Sequence, residues 1–340
     1  MCLEGEKSGC WISLHAFGIK SEGCIRDSNW LQSIQVPCSQ SLINQIYLVN
    51  NDVNKLTYIR TVAHGSFGSI DLGLHEDRYG KKKEVYIKRP IIAGKSLLYE
   101  ACIQKLVGEH LEIIGFPTGA PKVVLIFSLL DGSICFAMEQ IENTTTLSEL
   151  LGNSPLQQMS EIVVECLLQV CAMIWYLETE IGINHRDLKP SNFLVCSHKP
   201  EEKALIIGDE IIEITSRYTV TFIDFGFSCI GSTETRKADI SLSTVYSKKD
   251  PCPKDGRDLY LFLAFLFMEF YQKLDDGLMT LFIKWLEIPG VNMPRFLMKY
   301  GIKAKEWIYF YTGNPNINGF NTCPFKIIKD LVNVIKDYDE

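Results

Sequence analysis

Short segments in the first half of the chain alternate apolar and polar residues, or form brief apolar runs between turn residues. Successive side chains of a strand point to opposite faces, so this pattern is typical of β-strands in a sheet with a buried face. The segments that it predicts to be strands are 56–62, 69–74, 84–88, 123–127 and 134–138. The chain is therefore expected to be β-rich from about residue 51.

The second half of the chain follows a helical rhythm instead. Apolar spacing predicts a short helix at 147–151 and a long one at 161–177, while 97–106 is an earlier helix among the strands. The run 259–268 is apolar throughout, as expected of a helix that is buried on all sides. Strands followed by helices predict an α+β protein with a β-rich first lobe and a helical second lobe.

The pattern also predicts how the chain is divided. Residues 1–50 show weak periodicity and no motif, so they are interpreted as an N-terminal extension of unknown role. The β-rich lobe is assigned to 51–141 and the helical lobe to 142–340. Within the second lobe, 197–217 contains a charged turn between apolar runs and is predicted to be an inserted, elongated hairpin.

Composition narrows the class of protein. A net charge of −7 leaves no basic excess to neutralise phosphates, so nucleic acid is not expected as a partner. Twelve irregularly spaced cysteines are interpreted as reduced thiols of an intracellular protein, cytoplasmic or nuclear. The first residues do not resemble a signal peptide, and the ten-residue run 259–268 is too short to span a bilayer. We therefore expect no membrane segment, and we favour a monomer.

Candidate chemistry is concentrated in one stretch of the helical part. Asp187, Lys189 and Asn192 supply a carboxylate, a cation and an amide within six residues, between apolar flanks. Asp224 follows at the end of a β-branched, aromatic run. Phosphoryl transfer needs such a set: a carboxylate that accepts a hydroxyl proton, a cation near the moving group, and oxygen ligands for Mg²⁺.

These two stretches carry a family resemblance. His185-Arg186-Asp187-Leu188 with Asn192 resembles the H-R-D-L-x-x-x-N catalytic loop of eukaryotic-type protein kinases, and Asp224-Phe225-Gly226 resembles their magnesium-binding D-F-G. The resemblance implies a bilobal kinase-like fold that uses ATP and Mg²⁺ on a protein substrate. Its Lys-Pro-Ser continuation is similar to the Ser/Thr version of the loop. Asp187 would be the catalytic base, Lys189 would balance charge on the γ-phosphoryl group, and Asn192 and Asp224 would hold Mg²⁺.

The resemblance extends into the β-rich part. Lys88 resembles the lysine that grips the α- and β-phosphates, with Glu100 as its helix partner and Glu109 as the alternative. Residues 63–70 resemble the glycine-rich phosphate loop, and 138–141 the segment that binds adenine. The remaining positions that the resemblance assigns to nucleotide binding are Ala63, Gly65, Ser66, Phe67, Gly68, Ile70, Met138, Glu139, Ile141 and Leu194.

Three departures from the family pattern are visible. Ala63 replaces the first loop glycine, and Tyr86 stands where the family has the small alanine that covers adenine. No A-P-E motif follows Asp224, as in haspin-like kinases and many kinases of large DNA viruses. These departures favour the alternative of a pseudokinase that serves as a binding scaffold; a small-molecule kinase of similar fold is a third reading. The intact motif residues favour an active Ser/Thr protein kinase.

Two residues beside the motif receive structural predictions. Asp258, at the start of the apolar run, resembles the aspartate that braces the catalytic loop from below. Arg186 in many kinases binds a phosphorylated residue of the activation loop. Because the anchoring A-P-E is missing here, we predict that this loop is held by its own packing and that Arg186 has a structural role.

Overall fold

The computed structural model describes residues 40–41, 44–45, 49–50, 54–65, 68–129, 131–243, 245–247, 249–288, 291–317 and 319–339. The described chain falls into two compact units. One unit contains the residues up to Glu109 together with Ala120–Glu142, and the other contains His110–Gly119 together with the chain from Asn143 onward. Most of the predicted extension 1–50 lies outside the described residues.

The first unit is built on an antiparallel sheet. Six strands lie in the order β3-β4-β5-β6-β8-β7, so chain neighbours pair except where β8 inserts between β6 and β7. A short β1–β2 pair precedes it. The strands are β1 (Gln40–Ser41), β2 (Asn44–Gln45), β3 (Val49–Asn50), β4 (Asn54–His64), β5 (Gly68–Asp77), β6 (Lys82–Pro90), β7 (Val123–Ser128) and β8 (Ile134–Glu139). Helix α1 (Leu98–Ile113) follows β6 in the chain.

One face of this sheet forms a hydrophobic core. The cluster contains Leu56, Val85, Ile87, Leu125, Phe127, Cys135 and Ala137, all of them buried. Val85 and Ile87 are two residues apart on β6, so they share a face, and Tyr86 and Lys88 point to the other. Burial of this apolar set fixes the strand register, because a slip of one residue would exchange the two faces.

The second unit is mainly helical. Its helices are α2 (Leu147–Asn153), α3 (Leu156–Tyr176), α4 (Arg257–Phe270), α5 (Asp276–Trp285), α6 (Met293–Tyr300), α7 (Lys305–Thr312) and α8 (Pro324–Asp339). Its strands are β9 (Thr144–Thr146), β10 (Ile183–Asn184), β11 (Phe193–Ile207), β12 (Glu210–Phe222), β13 (Cys229–Gly231) and β14 (Ala238–Ser241). A π-turn (Leu177–Ile181) follows α3, and 3₁₀ turns lie at Pro190–Asn192, Tyr271–Lys273 and Gly301–Ala304.

Two apolar helices, α3 and α4, form the centre of this unit. Thirteen residues of α4 are buried, so it is enclosed on nearly all sides. The segment Leu156–Ile181 is long and apolar enough to cross a membrane by composition alone, but 78% of its most apolar window is buried inside the protein. That degree of burial is what a core helix of a globular unit shows.

The predicted hairpin at 197–217 is present and is longer than expected. Strands β11 and β12 pair from Phe193↔Phe222 to Ile207↔Glu210, with an irregularity between Ser197 and Glu201. The hairpin packs on α3 through ion pairs of Arg217 with Glu165 (2.5 Å) and Glu161 (2.8 Å). Leu205 and Ile207 are buried, while Ile211 near the tip is exposed.

The α+β class, with a β-rich first part and a helical second part, is confirmed. One interpretation is wrong: the cysteines are not all reduced, because Cys229 and Cys252 form a disulfide. Irregular spacing gave no sign of this pair, since 23 positions separate two cysteines that the fold brings together. Cys166 and Cys171 are free thiols, in line with the predicted reduced state, and both are buried.

Candidate active site

Asp187 is the centre of a small hydrogen-bonded group. Lys189 Nζ donates to Asp187 Oδ2 at 2.7 Å, and Asn192 Nδ2 donates to the same oxygen at 2.9 Å and to the Asp187 carbonyl at 2.8 Å. The Asp187 side chain is almost fully buried. Its carboxylate is therefore held in one orientation by donors that come from the same short stretch of chain.

Asp258 fixes the backbone on the N-terminal side of this group. Its Oδ2 accepts the backbone N–H of His185 at 2.5 Å, and its Oδ1 accepts that of Arg186 at 2.7 Å. Asp258 lies in the first turn of α4. Arg186 has a φ of 67°, a left-handed conformation that a non-glycine residue adopts only when its surroundings hold it. The buried carboxylate supplies that restraint, in the place predicted for the bracing aspartate.

A second buried carboxylate, Asp250, binds three cations. Its oxygens lie 3.2 Å from Arg186 Nη2, 2.6 Å from Lys254 Nζ and 2.8 Å from Arg257 Nη1, and all four side chains are fully buried. Burial, with the nearby guanidinium of Arg257, lowers the pKa of Lys254 to about 8. These contacts fit the predicted structural role of Arg186. No sequence motif points to Asp250.

Arg186, one of the cations bound to Asp250, also helps to hold the segment that follows Asp224. Arg186 Nη1 donates to Ser241 Oγ at 2.7 Å, and the Tyr246 hydroxyl donates to the Arg186 carbonyl at 2.8 Å. The disulfide joins Cys229 in β13 to Cys252, which lies just beyond Asp250. Buried ion pairs and a covalent link therefore hold this segment in a chain that lacks the A-P-E motif.

Asn192 and Asp224 both lie at the base of the β11–β12 hairpin. The N–H of Ile223 donates to the Asn192 carbonyl at 3.1 Å, directly beyond the first cross-strand pair. His185 Nε2 donates to the Ile223 carbonyl at 3.0 Å, which ties the catalytic-loop stretch to the strand that carries Asp224. Burial lowers the pKa of His185, so the ring is neutral at this position.

The donor set at this point suits a hard cation such as Mg²⁺. Because Asn192 Nδ2 is turned toward Asp187, the amide oxygen of Asn192 faces away from that carboxylate. Asp224 supplies a half-buried carboxylate with a φ of 66°. Within the described residues, no group of three His, Cys, Asp or Glu side chains is arranged to hold a metal. An oxygen pair completed by phosphates and water is typical of magnesium sites.

Tyr309, from helix α7, completes the surroundings of Asp187. Its hydroxyl donates a short hydrogen bond to Asp187 Oδ1, the oxygen that Lys189 and Asn192 leave open. Burial raises the pKa of Tyr309, and the Asp187 carboxylate raises it further, so the phenol keeps its proton. No sequence signal pointed to this residue, because 122 positions separate it from Asp187 and no motif surrounds it.

In the sheet unit, the structure brings Lys88 and Glu100 together. Lys88 Nζ forms a short ion pair with Glu100 Oε1, and both side chains are largely buried. The alternative partner, Glu109, is instead exposed and lies 3.6 Å from Lys105 on its own helix. A buried lysine held by a helix carboxylate is the arrangement that the family resemblance implies.

Several other residues of this unit that are predicted to bind nucleotide lie on the same face of the sheet. The register places Ile70 opposite Lys88, and Tyr86 opposite Met138. Directly opposed residues lie on the same face, as do residues two apart. Ile70, Tyr86, Lys88 and Met138 therefore form one patch on the side away from the core cluster.

The glycine loop is only partly described. Ala63 pairs with Ile70, and the N–H of Gly65 donates to the Gly68 carbonyl at 2.8 Å. A Cβ on Gly68 would meet the Arg89 carbonyl at 2.9 Å, so the backbones pack too closely there for a side chain. The predicted residues Ser66 and Phe67 lie outside the described residues.

The remaining predicted positions show ordinary local contacts. Glu139 binds Lys83 at 3.0 Å, and its N–H donates to the Lys122 carbonyl at 2.9 Å. Ile141 is half-buried. Leu194 is half-buried in β11, in the helical unit, opposite Thr221 and Thr146.

Comparisons with known proteins add little. No protein-family model matches the sequence, and no curated protein matches it. Among solved structures, the chain is similar to a crystal structure of a kinase domain, with 15% identity and a TM-score of 0.42. That alignment covers 83% of this chain and 96% of the other. So distant a similarity carries no argument about the activity of this chain.

Proposed function

We propose that this chain is a protein kinase that transfers the γ-phosphoryl group of MgATP to serine or threonine hydroxyls of protein substrates. The observation that carries the proposal is the group around Asp187, in which Lys189 and Asn192 orient one carboxylate oxygen. Asp224 lies at the base of the same hairpin as Asn192. A fixed carboxylate, a cation and two oxygen ligands are the parts that phosphoryl transfer requires.

Each residue has a distinct task in this proposal. Asp187 orients the acceptor hydroxyl and receives its proton, while Lys189 offsets charge on the transferred group. Asn192 and Asp224 would hold Mg²⁺, which neutralises phosphate charge when it is bound. Lys88, kept in place by Glu100, would bind the α- and β-phosphates. Ile70 and Met138 offer apolar surface for the base, and Tyr86 beside them is expected to narrow that space.

Substrate class and cellular setting belong to the same proposal. The Lys189-Pro190-Ser191 sequence supports serine or threonine as the acceptor, by resemblance to the Ser/Thr version of the loop. The net charge of −7 supports a protein substrate over nucleic acid. A monomer that works inside the cell, in the cytoplasm or the nucleus, completes the proposal; the six free cysteines of the described residues support that setting, and the Cys229–Cys252 disulfide counts against it.

One observation favours the pseudokinase alternative. Tyr309 engages the open oxygen of Asp187, the atom that an acceptor hydroxyl would need. If that contact were permanent, the chain would bind nucleotide without transferring phosphate. The two functions therefore differ in turnover, while both allow nucleotide binding.

The test measures transfer of labelled phosphate from MgATP to casein and to the chain itself. Asp187→Asn is expected to lower the rate by about 100-fold or more, since a positioned acid–base group contributes about 10²–10⁴-fold. Asp209→Asn is the matched control, because it removes an exposed carboxylate at the hairpin tip. Nucleotide binding is followed separately by thermal shift with MgATP, and Asp224→Ala is expected to remove the shift.

The outcomes separate the candidates. Transfer that depends on Asp187 establishes the kinase. A thermal shift that depends on Asp224, with no transfer above the Asp187→Asn background, establishes the scaffold. Absence of both would refute a nucleotide site in this chain.

A further inference from the structure

The two oxygens of Asp187 have different surroundings. Oδ2 accepts from Lys189 and Asn192, both of which lie within five residues of it along the chain. Oδ1 accepts only from the Tyr309 hydroxyl among the contacts of the described residues. A proton acceptor that is to receive an incoming hydroxyl needs an oxygen lone pair facing it. In this structure the phenol of Tyr309 already fills that position.

Tyr309 is well held but has space beside it. Its ring packs against Phe265 of α4 at a centroid distance of 5.4 Å. Tyr309 also lines a cavity of about 700 Å³, together with residues that include Val245, Ser247, Glu306, Phe310 and Pro315. The cavity is much larger than a phenol ring, so it has room for the Tyr309 side chain when that side chain leaves Asp187.

The protonation state of Tyr309 suits a donor. Burial and the neighbouring Asp187 carboxylate raise its pKa, so the phenol keeps its proton and remains a hydrogen-bond donor to Asp187. A hydrogen bond to a charged group is stronger than one between neutral groups. A loosely bound water molecule will therefore not displace the phenol easily. The hydroxyl of a docked polypeptide can displace it, because the other contacts of the polypeptide with the protein hold that hydroxyl in place.

We propose that Tyr309 is a specificity-determining residue that keeps water away from Asp187 and yields its place to the hydroxyl of a bound protein substrate. The inference rests on the proposed kinase function. In this role Tyr309 decides which of two acceptors, water or a substrate hydroxyl, receives the phosphoryl group. The phenol blocks the first because it occupies the hydrogen-bonding position that an attacking water needs.

The reaction that Tyr309 suppresses is hydrolysis of ATP. In that reaction a water oxygen forms a bond to the γ-phosphorus, and the bond from that phosphorus to the β–γ bridging oxygen breaks. The water proton passes to Asp187 and then to solvent, and the products are ADP and inorganic phosphate. Transfer to substrate follows the same course with the substrate oxygen in place of water, so the two rates share Asp187 and differ in what displaces Tyr309.

The experiment compares full-length wild type with Tyr309→Phe, which keeps the ring and its packing but removes the hydroxyl. Tyr311→Phe is the matched control, because it removes a phenolic hydroxyl from the same helix where the ring stacks on Trp307. Release of inorganic phosphate from MgATP measures hydrolysis, and labelling of casein measures transfer. Asp187→Asn gives the background for both.

Tyr309→Phe is expected to raise hydrolysis about tenfold, which corresponds to about 1.4 kcal/mol of barrier. The KM for casein is expected to fall, because the substrate no longer displaces a hydrogen bond, while the KM for ATP stays unchanged. Tyr311→Phe is expected to match wild type in each measurement. A residue that merely supported the fold would not shift hydrolysis and the casein KM while leaving the ATP KM unchanged.

Three results would overturn the inference. Unchanged hydrolysis in Tyr309→Phe, with transfer that still depends on Asp187, refutes the role of Tyr309 and leaves the kinase proposal standing. Phosphate found on Tyr309 by mass spectrometry of wild type incubated with MgATP would make it an acceptor instead of a barrier to water. Absence of both hydrolysis and transfer above the Asp187→Asn background refutes the proposed function together with the inference.

Discussion

Replacing Asp250 with asparagine is expected to destabilise the helical unit strongly. The substitution keeps the shape of the side chain but removes a carboxylate that, among the described residues, is the one ion-pair partner of the buried cations Arg186, Lys254 and Arg257. Removing one partner of a buried ion pair typically costs about 3–5 kcal/mol, because the other charge is left uncompensated. The free energy of unfolding is therefore expected to fall by about 3–5 kcal/mol.

Urea unfolding measures this loss, followed both by tryptophan fluorescence and by circular dichroism. Asp255→Asn is the control: its carboxylate also binds an arginine, Arg236, at 2.6 Å, but the pair is largely exposed. Exposed pairs contribute about 0–1 kcal/mol, so the control is expected to stay within that range. The slope with urea has to match wild type for the difference to be a change in stability.

A second substitution tests the cause of the loss. Adding Lys254→Met to Asp250→Asn removes one of the uncompensated cations and is expected to recover at least about 1 kcal/mol. A loss of less than about 1.5 kcal/mol in the single variant would show that the cations find other partners. A double variant that is less stable than the single one would also contradict the electrostatic explanation.

Three further predictions concern stability. Burial, aided by the nearby Asp258 carboxylate, raises the pKa of Glu178 in the folded protein. The protonated side chain therefore favours the folded state at low pH, and this contribution to stability is lost as the pH rises through the folded pKa. The free energy of unfolding of Glu178→Gln, measured in urea, is therefore expected to rise relative to that of wild type between pH 5 and pH 8. A difference between the two proteins that does not change with pH would refute this. Cys229→Ser is expected to cost about 3 kcal/mol by loss of loop closure. A reductant should lower the melting temperature of wild type but not of this variant. If the reductant leaves the melting temperature of wild type unchanged, that result would contradict the disulfide between Cys229 and Cys252. In urea unfolding, buried Leu205→Ala is expected to cost about 2–5 kcal/mol and exposed Ile211→Ala under about 0.5; equal losses would contradict the packing of the hairpin.

The elements that the sequence predicts well are those whose signal is local. Strand β6 and helix α4 follow from apolar spacing within about ten residues, and the group of Asp187, Lys189 and Asn192 lies within six. Boundaries are less well predicted, because capping and packing decide them. Helix α1 continues to Ile113, beyond the predicted end at residue 106.

The features that the sequence does not predict join distant segments. Tyr309 reaches Asp187 across 122 positions, and neither residue type is unusual where it stands. Asp250 binds cations from two separate stretches of chain, so no spacing rule points to it. Both depend on how the helices pack, which is decided by many apolar contacts together.

Because of the β11–β12 hairpin, the relative positions of two site residues do not depend on the number of residues between them in the chain. Asn192 and Asp224 lie 32 positions apart in the sequence, yet they flank the first cross-strand pair, Phe193↔Phe222. Residues added at the turn between Ile207 and Glu210 would leave that pair unchanged. At about 3.3 Å per residue, the turn lies about 45 Å along the strand from the site. This tip is therefore a suitable position for a fluorescent label or a fused reporter domain, which would leave the base of the hairpin undisturbed.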